Sequence, residues 1–146
     1  GIKGKESITT DASIDDVSAR EFDALIIPGG YSPDRLRTNM KMVGFTRDFF
    51  TEGKPLAAVC HAGSMLVEAD VADGRTLTSW PSIKTDLINA GARWVDREVV
   101  EDENLITSRK PDDLPAFASA ILKQIEQARI ESAASRSADL ESQLRQ

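Results

Sequence analysis

The sequence predicts an α/β fold: a mostly parallel sheet with helices on both faces. Three observations predict it. Two short apolar runs, FDALIIP (22–28) and LAAVC (56–60), have the length and continuity of parallel strands buried on both faces. Small residues follow each run, Gly29-Gly30 after the first and Ala62-Gly63 after the second. Segments with helically spaced apolar residues alternate with such runs, and alternation of this kind builds a parallel sheet.

The elements follow in order. Phe22 to Pro28 is the first strand. Asn39 to Phe50 has helical spacing, with Met40, Val43, Phe49 and Phe50; Gly53 stops that helix and Pro55 keeps it stopped. Leu56 to Cys60 is the second buried strand, and Ala62 to Ala69 a helix with Met65, Leu66 and Ala69 inward. Arg75 to Trp80 reads as a strand. Pro81 suits a first helical position, opening a helix over Ser82 to Ala90 with Ile83, Leu87 and Ile88 on one side and Gly91 as its cap. Arg93 to Glu101 and Asn104 to Ser108 read as two strands around Asp102-Glu103. Pro111, Asp112 and Asp113 open a last long helix, where acidic residues suit the positive end of the dipole. Residues 1–125 form the domain. The stretch 126–146 is a polar tail, read as a solvated helix, a frayed end, or a partner helix using Ile130, Leu140 and Leu144.

Composition narrows the function. A net charge of −6 argues against nucleic acid or an anionic membrane as the main partner, since both need a basic patch. No run approaches the ~18 apolar residues of a membrane span. With one cysteine no internal disulfide can form, which suits a reducing, cytoplasmic setting. One Cys and one His do not make a zinc site of the usual kind.

Chemistry concentrates at Ala57-Ala58-Val59-Cys60-His61-Ala62-Gly63. An apolar strand runs through a small-residue turn into a helix, the architecture of a nucleophile elbow without the G-x-S-x-G letters. The turn pushes the sulfur out at the top of the sheet. Helix amides then favour the thiolate, the nucleophilic form. From position alone, Cys60 is either this nucleophile or a buried structural thiol. The amides of the Gly29-Gly30 turn, with that of His61, would converge into an oxyanion hole. His61 is the only histidine. It serves either as general base or only through its amide.

The segments FDALIIPGG, YSPDRLR, GKPLAAVCHAG, GRTLTSWPSIKTDLINAGARWVDREVV and LITSRKPDDLPAF together resemble the PfpI family of the DJ/PfpI superfamily, in order from about residue 2 to residue 125. The resemblance implies a flavodoxin-like, class-I glutamine-amidotransferase-like sandwich. It implies Cys60 as nucleophile, His61 as its partner, and Asp34 as a carboxylate donated from a neighbouring subunit, although Asp34 read alone is a helix-start residue. It implies self-association as a dimer or hexamer with a shared site. It places Tyr31, Ser79 and Trp80 at the pocket rim; Trp80 and Trp94 read otherwise as core or subunit contacts.

The activity implied is that of a cofactor-free, metal-free cysteine hydrolase. Its substrate would be a peptide, or a small carbonyl compound or adduct in deglycase- or glyoxalase-like action. The alternative is a stress-response redox sensor or chaperone on the same fold. Glutamine amidotransfer is disfavoured, because its triad needs a histidine well downstream of the cysteine. Family members open with a strand, a helix and a second strand, and the opening carries an acidic residue bonded to the sulfur. Gly1 to Arg20 shows no counterpart. The chain is therefore expected to lack its N-terminal segment, to present an open sheet edge, and to fold poorly or associate.

Overall fold

The computed structural model describes residues 7–145. What was expected of residues 1–6 lies outside the described residues. Four strands make the main sheet: β1 (Leu25–Ile27), β2 (Leu56–Val59), β5 (Val99–Asp102) and β6 (Leu105–Ser108), in the order β1-β2-β6-β5. β1, β2 and β6 are parallel, and β5 returns antiparallel to β6. β3 (Thr76–Leu77) and β4 (Arg93–Trp94) form a separate parallel pair. The helices are α1 (Ser32–Leu36), α2 (Met40–Thr51), α3 (Gly63–Glu68), α4 (Lys84–Asn89) and α5 (Leu114–Leu144).

β2 shows why this is a three-layer sandwich. Side chains of a strand alternate between faces. Leu56 and Ala58 enter one core with Val43 of α2, Met65 and Leu66 of α3, and Leu87 of α4. Ala57 and Val59 enter the other, with Ile106 of β6 and Phe117, Ala120 and Ile121 of α5. All four residues of β2 are buried, as a central strand with helices on both faces requires.

β1 departs from the expectation. It is three residues long, and Ile26 is 53% exposed while Ile27 is buried. Among the described residues β1 pairs only with β2, so its other edge is open, and no helix covers the face that carries Ile26. α2 begins where its cap dictates: Asn39 Oδ1 accepts from the amides of Lys41 at 3.0 Å and Met42 at 3.4 Å. It ends at Gly53, which takes φ +71°.

Three further expectations are corrected. Arg93 to Glu101 is not one strand. Arg93 and Trp94 pair with β3, and after the polar break Asp96-Arg97-Glu98 the chain turns into a hairpin with β6. Its turn falls at Glu103-Asn104, with Glu103 at φ +52°, one residue later than Asp102-Glu103. Ile88 points outward, 46% exposed, because α4 has only six residues and buries Leu87 alone. α1, which the apolar pattern does not announce, starts with Pro33 in its first turn.

Past Leu77 the chain stays extended beside the sheet, where the Thr78 amide donates to Thr107 Oγ1 at 2.9 Å. Thr78 Oγ1 itself is buried and has no partner among the described residues. A valine there removes an unsatisfied hydroxyl at constant shape, so Thr78→Val is expected to raise stability by about 1 kcal/mol in urea titration. A loss of similar size would show that the hydroxyl is satisfied in solution.

Candidate active site

β2 ends at Val59, and the chain passes through a 3-10 turn, Cys60–Ala62, into α3. Cys60 holds φ +63°. A non-glycine residue in the left-handed region is strained, and such strain collects at functional sites. The sharp strand-to-helix turn expected from the small residues is therefore present. Its outer end is tied by the Trp80 amide, which donates to the Cys60 carbonyl at 3.2 Å. Ser64 Oγ donates to the His61 carbonyl at 3.0 Å.

Gly29 lies directly against this turn. A methyl group there would stand 2.7 Å from Cys60 Cβ, 3.1 Å from the Val59 carbonyl oxygen and 3.3 Å from Cys60 Sγ. Only glycine permits that approach. Gly30 follows at φ +77° with open space around it. The register Ile27↔Ala58 puts the Gly29-Gly30 turn and Cys60 side by side at the carboxyl end of the sheet. Ligands bind at that end in open α/β sheets. Cys60 and His61 are both partly exposed.

Asp34 sits on α1, which packs against the Cys60–Ala62 turn and α3, and its side chain is solvent-exposed. Among the described residues no hydrogen bond or ion pair joins Asp34 to His61. Tyr31, 72% exposed, and Trp80, 40% exposed, stand at the surface around this end. Ser79 is buried, 1% exposed. It donates to the Trp80 carbonyl at 2.8 Å and accepts from Trp94 Nε1 at 3.0 Å. Trp94, Ser79 and Trp80 thus form a brace that leads to the Cys60 carbonyl.

A second support escapes the sequence reading. The register Val59↔Ser108 brings Arg109, one residue past β6, alongside Cys60. Arg109 donates to Asp113 Oδ2 through Nε at 2.9 Å and to Asp113 Oδ1 through Nη2 at 3.0 Å. It also reaches Asp96 at 2.8 Å. The signal was Arg-x-x-x-Asp across a strand-to-helix turn, where Asp113 reads more simply as a helix-start acid. The Arg109 guanidinium holds the Asp113 carboxyl below its usual 3.8, despite opposing burial. A carboxyl depressed on folding stabilises the fold above its unfolded value, and that stability is lost as pH falls through the folded one. The melting temperature is therefore expected to drop below about pH 4. Asp113→Asn is expected to flatten that acid limb and to cost about 2 kcal/mol at pH 7. An acid limb that Asp113→Asn leaves unchanged would assign it to other carboxylates.

Among the described residues no group of three or more His, Cys, Asp or Glu is placed to hold a metal ion, and no helix is long and apolar enough to cross a membrane. The 540 Å³ surface hollow between β5 and α5, lined by Arg97, Val99, Ala116 and Lys123, does not include Cys60.

A three-layer α/β sandwich with a strained cysteine at a strand-to-helix turn defines a class, the flavodoxin-like domains with a cysteine elbow. The chain belongs to the DJ-1/PfpI family, whose model matches residues 1–124. It is 53% identical to the protein/nucleic acid deglycase 2 of Escherichia coli over 124 residues, 84% of this chain and 72% of that one. It is 50% identical to general stress protein 18 of Bacillus subtilis, over 86% of this chain and 74% of the relative. It is 48% identical to the deglycase PfpI of Pyrococcus furiosus, over 84% and 75%. Among solved structures, Drosophila melanogaster DJ-1beta superposes with a TM-score of 0.73 at 31% identity, covering 86% of this chain and 72% of that one. An Anabaena variabilis protein with DJ-1/ThiJ/PfpI-like and ferritin-like domains gives 0.84 at 42% identity, and this chain spans 36% of its length.

Proposed function

We propose that the chain is a cysteine hydrolase that releases amines from carbonyl adducts, with Cys60 as nucleophile. The observation that carries this reading is Cys60 held at φ +63° at the carboxyl end of β2 with Gly29 against it. Relatives named deglycases at 53% and 48% identity favour adducts over peptides as substrate. At a carbon bearing both oxygen and the amine, the thiolate displaces the amine. A C–S bond forms, the C–N bond breaks, and the amine departs with a proton from His61. The Gly30 and His61 amides stabilise charge on the oxygen. Water then replaces the sulfur at the same carbon, gives a proton to His61, and restores the thiolate. The scheme closes with water and side chains alone.

Asp34 is exposed and unpaired with His61 in its own chain, which supports its donation to a second copy's histidine. Asp34→Asn is expected to slow turnover by ~10²-fold, the scale of one misdirected acid–base group. Mixing it with Cys60→Ala should restore about a quarter of wild-type activity, because half the dimers are mixed and each has one intact site. Mixtures that stay at the level of the separate variants would put Asp34 in cis or outside the site.

The test of the function is amine release from a glycated lysine derivative, run beside cleavage of an unmodified peptide. Release that stops when Cys60 is alkylated with iodoacetamide supports the reading. Release that persists in the alkylated protein sinks it. Peptide cleavage without amine release would make the chain a peptidase instead.

A further inference from the structure

α5 is 31 residues long, yet its buried residues, Phe117, Ala120 and Ile121, all lie in its first third. From Arg129 to Arg145 every residue is exposed. Among the described residues the last tie to the body is the ion pair of Arg129 with Asp23, at 3.7 Å. An unsupported helix of about 15 residues is marginal in water. The segment therefore needs a partner to stay helical. It also lies beyond the family match, which ends at residue 124.

The sequence of this segment describes the partner. Ile130, Ala133, Ser137, Leu140 and Leu144 recur at spacings of three, four, three and four, the seam of a coiled coil. Ile130, Leu140 and Leu144 are 58%, 59% and 79% exposed. Lys123 and Glu126 occupy the preceding seam positions, so the seam starts at Ile130. Ile130 follows Ile121 by nine residues, about two and a half turns, so the stripe faces away from the side that packs on the sheet. A second helix docks there without displacing the body.

We propose that residues 130–144 pair with the same segment of a second copy of this chain as a parallel two-stranded coiled coil. Isoleucine at the first seam position and leucine at the fourth favour two parallel strands, and the stripe has Ile130 and Leu140 at those positions. Ala133 and Ser137 are small and let the helices approach. In the parallel arrangement Arg136 of one copy flanks Glu141 of the other, twice by symmetry. In an antiparallel seam centred on Ser137, Arg136 would face its own copy, and like charges repel. Below Ile130 the paired Lys123 and Glu126 positions splay the helices, leaving room for two bodies on opposite sides.

Sedimentation velocity and far-ultraviolet circular dichroism test this with the whole chain. Leu140→Asp/Leu144→Asp is expected to halve the assembly mass and to lower the helical signal at 222 nm. The Cys60 alkylation rate, which reads the body, should stay unchanged. An unaltered mass and helical signal overturn the proposal. Arg136→Glu should weaken assembly, and Arg136→Glu/Glu141→Arg should restore it; no restoration overturns the parallel pairing. Ala133→Cys in a Cys60→Ser background puts a thiol on the seam, where a parallel pair brings the two copies of residue 133 together, and should form a disulfide-linked dimer with a mild oxidant. A seam that dissociates on Leu140→Asp/Leu144→Asp but never cross-links at 133 would mean an antiparallel or foreign partner helix, and overturns it as well.

Discussion

Replacing Cys60 by alanine is expected to lower amine release by at least ~10³-fold, since removal of a nucleophile leaves only binding and oxyanion stabilisation. The melting temperature should change little. Cys60 is partly exposed, and alanine meets the same backbone strain at φ +63° as cysteine does. Cys60→Gly separates the two roles further. Glycine relieves the left-handed strain, worth about 1 kcal/mol. That corresponds to a rise of about 3 °C in melting temperature for a chain of this size. A variant more stable than the wild type and inactive would show that the fold carries strain in order to present sulfur. A Cys60→Gly protein that melts lower would show that the turn is unstrained and that the residue serves packing. Retained turnover in Cys60→Ala would move the chemistry to another group altogether.

Gly29→Ala is expected to be the next most damaging single change. The added methyl meets Cys60 Cβ at 2.7 Å and the Val59 carbonyl oxygen at 3.1 Å. Both neighbours, Val59 and Cys60, belong to the elbow, and backbone yields only by moving β1 from β2. Overpacking of this kind costs about 2 kcal/mol. A displacement near 1 Å at the reacting atom costs about 10²-fold in rate. Gly30→Ala supplies the contrast. Gly30 has φ +77° but nothing within 4 Å of the added group, so the cost is backbone strain of about 1 kcal/mol without a shifted sulfur. Steady-state kinetics and urea melts on the pair check this. Equal losses at positions 29 and 30 would mean that conformation, not contact with Cys60, fixes the glycines.

The open edge of β1 bears on both experiments. Ile26 is half exposed on β1, which pairs with the elbow strand on one side and among the described residues has an open edge on the other, and exposed edges invite association. Association through that edge is expected to raise the apparent mass with concentration even when the α5 seam is disrupted. Light scattering of Leu140→Asp/Leu144→Asp checks it, and an apparent mass that does not grow with concentration would show that the edge is innocuous.

Residue order alone determined a good part of this protein. LAAV is a continuous apolar run, so its burial on both faces was legible, as was the turn into a helix at Cys60-His61-Ala62-Gly63. Gly53 and Gly91 marked helix ends through capping chemistry that acts over one turn. What only the tertiary structure decided involves partners distant in sequence. Ile26 belongs to an apolar run yet faces solvent, because burial depends on what covers a face. Arg93 to Glu101 reads as one strand, but pairing assigns its two ends to different sheets. Ser79 suggested a rim residue and is instead the buried link between Trp94 and Trp80. The contact of Gly29 with Cys60, and the position of the local Arg109–Asp113 pair beside them, come from parallel register. That register follows from which faces of the two strands are buried together, and the segments that decide it lie far apart in the sequence.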